Sequence, residues 1–128
     1  VKKPIRRIFL ACVAAGIFFL SSQPSLGILP PLFPHQDKVL HLVEYAVLYW
    51  ALFLNRDLCP ERKRTAILFA VGLLYALSDE IHQGFVTGRD CSAADFAADA
   101  TGLAAGAAAC SGLGKKTKDS PGAPADSA

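Results

Sequence analysis

Apolar residues fall into four runs, at residues 8–20, 39–54, 65–77 and 93–113, separated by shorter polar stretches. Each run is long enough to predict a helix. A helix that crosses a bilayer needs about 20 residues for a hydrocarbon core of about 30 Å. Runs two to four reach that length when their polar ends lie at the interface or face other helices. The pattern predicts an all-α fold, a four-helix transmembrane bundle. It divides the chain into a basic N-terminus at 1–7, a membrane domain at 8–113 and a disordered tail at 114–128, whose KKTKDSPGAPADSA is rich in Gly, Pro, Ala and Ser. The Pro-rich LPPLFP before the second run is expected to be irregular and to lie on the membrane surface.

The first run has two readings. KKPIRR followed by a short apolar stretch resembles the start of a signal peptide. No A-x-A site follows, however, and SSQP is a poor context for cleavage. The expectation is a retained helix whose Arg6 and Arg7 snorkel to the interface. The apolar stretch before Cys12 is too short for a lipobox.

Composition strengthens the membrane reading. The 128 residues suit one domain, and 52% of them are hydrophobic against 19% charged, too apolar for an ordinary soluble domain of this size. Of thirteen Lys and Arg, eleven fall before run one, between runs two and three, or after run four; only Lys38 and Arg89 lie in the other two connections. The positive-inside rule then places both termini in the cytoplasm of a multi-pass chain, with the lipid bilayer as its main partner. No basic patch is interleaved with aromatics, so no nucleic-acid partner is expected. Cys12, Cys59, Cys91 and Cys110 lack the spacing of a disulfide framework or a zinc site and are expected to be free thiols.

The acids follow the opposite distribution. Asp37, Glu44, Asp79, Glu80, Asp90, Asp95 and Asp99 all fall toward the predicted outer side. At about 100° per residue, Asp37, His41, Glu44 and Tyr45 share one face of the second helix. Tyr75, Asp79 and His82 share a face of the third, with Ser78 and Gln83 at its margins. Ser92, Asp95, Asp99, Gly102 and Gly106 form a stripe on the fourth. Glu80 falls off its stripe and is expected to point to water or headgroups. Charges facing lipid are costly, so the three stripes are expected to face one another. They would line an outward-facing polar pocket capped by the Arg89 loop. Gly102 and Gly106 would continue the fourth stripe inward as a small-xxx-small seam. So many carboxylates cannot all stay ionised together; some must be protonated, paired with Lys38 or Arg89, or bound to a cation.

At these residues the chain resembles the VanZ-like family of small membrane proteins. The signs are DKVLHLVEY, with Asp37, Lys38, His41 and Tyr45; YALSDEIHQGFVTGR, with Ser78, Asp79, Glu80, His82, Gln83, Phe85, Gly88 and Arg89; and then Ser92, Asp95 and Gly102. The likeness covers about residues 30–110. Thr87 stands where relatives are expected to have Pro, and Asp99 where many have Asn. The family is named for a protein linked to teicoplanin resistance. The resemblance therefore implies an inner-membrane protein acting on glycopeptide susceptibility or the cell envelope.

Four function classes stay open on the sequence. In the first, a binding module, the outer pocket of Asp37, Lys38, His41, Tyr45, Asp79, Glu80, His82, Gln83, Arg89, Asp95 and Asp99 engages a lipid-linked envelope precursor or a glycopeptide. Arg89 would meet phosphate or carboxylate, and no cofactor is needed. In the second, a membrane enzyme, the i, i+3 pairs His41/Glu44 and Asp79/His82, completed by Asp95 and Asp99, hold a divalent metal that activates water, or Asp79 and His82 work as acid and base without one. In the third, stacked carboxylates relay protons, although the inner halves of the helices lack titratable groups. In the fourth, the polar groups only tie four short helices together, with Lys38 on Asp37 and Arg89 on Asp79 or Asp95.

Overall fold

The computed structural model describes residues 1–24 and 30–118, with side chains through residue 112. The described residues form four α-helices and no strands: α1 (Lys3–Ser21), α2 (Gln36–Leu54), α3 (Arg64–Gln83) and α4 (Ala93–Lys118). Two 3₁₀ turns, Arg56–Leu58 and Glu61–Lys63, join α2 to α3.

Local chemistry sets the ends. Pro4 lies in the first turn of α1, where its missing N–H is not needed. Before α4, the Ser92 hydroxyl accepts the Asp95 N–H at 3.2 Å, a side-chain cap on an otherwise orphaned donor. The helices run beyond the apolar runs in both directions. α1 starts within the basic cluster, and α3 continues through the polar SDEIHQ. α4 continues over Lys115–Lys118, so helix replaces the first residues of the expected disordered tail; Lys is a good helix former. Residues 119–128, the rest of that tail, lie outside the described residues, as do residues 25–29 of the first connection. Pro30–Pro34 are irregular and exposed, as expected of LPPLFP.

Successive helices alternate in direction, as two sets of contacts show. At one end, Arg6 Nη1 donates to the Leu54 carbonyl at 2.6 Å and Asn55 Nδ2 donates to the Arg6 carbonyl at 3.0 Å. Arg6 also lies 3.5 Å from Asp57. At the other end, Ser21 bonds Asp79, and Lys38 bonds Asp95. The basic N-terminus and the basic α2–α3 connection therefore share one end, and the acids cluster at the opposite one.

The most extensive contact is between α2 and α4. Gly102 and Gly106 make it close, as the spacing predicts. A Cβ at Gly102 would run into the Leu42 carbonyl, and one at Gly106 into Tyr49 and the Ala46 carbonyl. The apolar core is small and includes Ile17, Tyr45, Tyr49, Leu68 and Leu103.

Surface and interior are inverted relative to a water-soluble helical protein. Ile8, Val43, Trp50, Leu74 and Ile81 are exposed, whereas His41, Asn55, Asp79, Glu80, Gln83 and Asp99 are buried. Among the described residues, two stretches, Lys3–Ser21 and Glu61–Gln83, are long and apolar enough to cross a membrane. α2 carries Asp37, Lys38 and Glu44, and α4 is rich in alanine and glycine with two aspartates, which lowers their hydropathy. The four cysteines are free.

Candidate functional site

The acidic end is built as three linked groups. The first joins α1 to α3. The Ser21 hydroxyl donates to Asp79 Oδ1. Gln83 Nε2 donates to Ser21 Oγ at 3.2 Å and lies 3.4 Å from Asp79 Oδ2. One turn away, Ser22 Oγ donates to the Phe18 carbonyl at 2.7 Å and lies 2.9 Å from His82 Nε2. A hydroxyl has a single proton, so Ser22 accepts from His82 Nε2–H. The His82 ring also stacks on Phe18, with centroids 4.6 Å apart. Further along α3, the Tyr75 hydroxyl donates to the Ala14 carbonyl at 2.6 Å.

This group corrects the expected arrangement. The Tyr75/Asp79/His82 face of α3 exists, but its hydrogen bonds go to α1 and its C-terminal cap, while the Tyr75 ring lies 6.4 Å from that of Tyr45 on α2. Ser21 and Ser22 were missed as site residues. Their signal was two hydroxyls closing an otherwise apolar helix, read only as a poor cleavage context.

The second group joins α2 to α4. His41 Nδ1 donates to Asp99 Oδ1 at 2.8 Å, with both residues buried. Lys38 Nζ donates to Asp37 Oδ2 at 2.7 Å and to Asp95 Oδ1. Asp37 and Lys38 precede the apolar stretch that begins at Val39. The Lys38 hydrogen bond holds the Asp37 carboxyl below its usual range. Bonds from Asp37 and then Asp95 raise the Lys38 ammonium above its own.

The third group is Glu80. It does not point to water or headgroups but is 1% exposed. Asp79 faces α1, and the next residue along the turn, Glu80, faces α4. Its Oε2 accepts the Ser92 N–H at 2.9 Å. That N–H is the one a capping-box acid three residues into α4 would take. Glu80 takes it instead, which leaves Asp95 to Lys38.

Arg89 lies in the turn between α3 and α4, three residues before Ser92. Its side chain makes no hydrogen bond or ion pair among the described residues, so the expected pairs with Asp79 and Asp95 are not formed. Lys38 occupies Asp95, and Ser21 and Gln83 occupy Asp79. Tyr45 is fully buried beside the second group, and its hydroxyl has no hydrogen-bond partner among the described residues. Glu44 is half-buried.

Among the described residues, the ionisable groups hydrogen-bond to one another across the helices. Two grooves lie away from them. One of about 610 Å³ runs along Glu61, Thr65, Phe69 and Leu73, and one of about 330 Å³ lies between α2 and α4 beside Leu42, Trp50 and Gly106. Among the described residues, the groups whose ligand atoms converge as they would around a metal are His41, Glu80 and Asp95. The set expected from i, i+3 spacing, His41, Glu44, Asp79 and His82, is not brought together in that way, since Asp79 and His82 turn toward α1.

The model of the family described as VanZ/LLP1 matches residues 7–114. The chain belongs to the VanZ/LLP1 family. The match takes in all four helices, so the clustered residues are part of the VanZ/LLP1 domain itself. No curated protein and no solved structure shows a match. Family membership, together with two helices able to cross a bilayer, supports a membrane protein.

Proposed function

We propose that this VanZ/LLP1 protein is a multi-pass protein of the inner membrane with both termini in the cytoplasm. Its four helices place the acidic cluster at the outer leaflet, where the Arg89 turn binds an anionic group of an envelope component, such as a lipid-linked wall precursor or a glycopeptide. The orientation follows from eleven of thirteen basic side chains lying away from the acidic end. The inverted surface supports immersion of all four helices.

The observation that carries the binding reading is the unpaired Arg89. Seven acids near one end would repel an anion if they were free. Here Asp37 and Asp95 are taken by Lys38, Asp99 by His41, and Asp79 by Ser21 and Gln83. None of these bonds involves Arg89, which keeps its planar fork for a phosphate or carboxylate. Phe85, exposed four residues before Arg89, adds an apolar contact.

The test is teicoplanin and vancomycin susceptibility of a sensitive Gram-positive host expressing wild type, Arg89→Ala or Arg89→Lys at matched membrane levels. The reading expects wild type to raise teicoplanin tolerance, Arg89→Ala to abolish the rise and Arg89→Lys to restore part of it. An unchanged susceptibility with wild type removes the glycopeptide reading. A rise that Arg89→Ala retains removes Arg89 as its binding group.

A further inference from the structure

We propose that His41, Glu80 and Asp95 form a binding site for one divalent transition-metal ion, with Zn²⁺ as its probe ligand. One nitrogen and two carboxylate oxygens from three different helices come within 4.8 Å of one another. Metal–ligand bonds of about 2.0–2.2 Å in a tetrahedral site put ligand atoms about 3.4 Å apart, so side-chain rotations that draw the three atoms inward close the site.

Each residue has an atom to spare. His41 uses Nδ1 on Asp99, which leaves Nε2. Glu80 uses Oε2 on the Ser92 N–H, and its Oε1 is buried with no partner. Asp95 gives Oδ1 to Lys38 and keeps Oδ2. The orphaned Glu80 oxygen is the independent sign of a ligand. A buried carboxylate oxygen without a donor is costly, and a cation supplies what the protein does not.

The surroundings suit a metal as well. A carboxylate on the far nitrogen of a ligating histidine fixes its tautomer and makes it a better donor. Asp99 stands in that place, 0% exposed, with its own Oδ2 also unpartnered. The nearest fixed positive group is Lys38, which shares Asp95 with the ion and so limits affinity. An imidazole with two carboxylates favours zinc or manganese over calcium or magnesium, which take oxygen ligands alone. Three protein ligands leave a further position on the ion for water or another ligand. The site does not depend on the Arg89 reading, and its test does not involve antibiotics.

The experiment is elemental analysis and Zn²⁺ titration of the full chain in detergent, after EDTA treatment and removal of the chelator. Wild type is expected to bind about one zinc per chain on titration and to show a higher Tm with zinc than without. Glu80→Gln and His41→Ala are expected to lose both effects; Glu44→Gln and His82→Ala are expected to keep them. Where Glu80→Gln does not give a monodisperse protein, Asp95→Asn replaces it, and the zinc-dependent Tm rise of wild type is read beside it. Zinc bound equally by wild type and Glu80→Gln overturns the proposal. So does loss of zinc in Glu44→Gln or His82→Ala with Glu80→Gln unaffected, which would assign the metal to the other set of residues.

Discussion

His41 Nδ1 and Asp99 Oδ1 meet at 2.8 Å between α2 and α4, both side chains closed off from the surface. This bond crosses the most extensive helix contact in the molecule. Removing one partner leaves the other buried alone, which typically costs about 3–5 kcal/mol. Asp99→Ala is therefore expected to lose about 3 kcal/mol or more of stability, whereas Asp99→Asn, which keeps an acceptor oxygen, loses clearly less. Thermal unfolding in detergent, followed through the fluorescence of Trp50, measures both. Equal losses would show that the hydrogen bond is not what matters at this position.

The same contact depends on the absence of a side chain at Gly102. A Cβ there meets the Leu42 carbonyl, a backbone atom held by its own helix. Gly102→Val is expected to cost about 3 kcal/mol, at or above the upper end of ordinary overpacking. Gly112, around which nothing lies within 4 Å, is the control, and Gly112→Ala is expected to leave the unfolding midpoint unchanged or raised, since Ala is the better helix former.

Ser21 and Gln83 hold Asp79 in place. Ser21→Ala removes the hydroxyl that both gives a hydrogen bond to Asp79 and accepts one from Gln83. The expected loss is about 1–3 kcal/mol, the cost of leaving a buried acceptor short of a donor. In a double-mutant cycle with Gln83→Ala the two losses are expected to be non-additive by more than about 0.5 kcal/mol, because the residues share one network. Simple additivity would show the two side chains to be independent.

Lys38 gives a pH dependence with two arms. The depressed pKa of Asp37 means that its contribution is present above the usual carboxylate range of about 4 and is lost as pH falls through the lower folded value. The elevated pKa of Lys38 means that its contribution is present below about 10.4 and is lost as pH rises through the higher folded value. Both side chains are about a third or more exposed, so solvent screens the pair and the arms are shallow. Lys38→Met is expected to reduce the fall in Tm on both sides of neutrality. A variant with the unaltered wild-type profile would remove this pair as its source.

Topology is open to a direct chemical test. Cys91 is exposed at the acidic end, and Cys59 lies in the basic connection between α2 and α3. With the proposed orientation, an impermeant thiol reagent labels Cys91 in intact cells or spheroplasts and Cys59 only after lysis. The reverse order would invert the protein in the membrane.

Helix number and the two-ended charge distribution were legible in the sequence because both are local. An apolar run dictates a helix whatever surrounds it, and the count of basic residues in each connection needs no knowledge of packing. The Gly102/Gly106 seam was legible for the same reason, since small residues four apart fall on one face of any helix. The partner of each polar stripe was not legible. Helical periodicity gives a residue's angle on its own helix but not which neighbour stands there. Asp79 and Glu80 are adjacent in sequence and about 100° apart around α3, and the structure has a neighbour on each side, α1 for one and α4 for the other. Reading α3 as having a single buried face sent Glu80 to solvent and left Ser21 and Ser22 out of the site. With Lys38 on Asp95, and Ser21 and Gln83 on Asp79, Arg89 makes neither of its expected pairs. The sequence by itself determined that there are four helices, which end is basic and which acidic; tertiary packing alone decided which acids are bonded by neighbours and which atoms remain open to a ligand, because those depend on distances between helices that no single helix encodes.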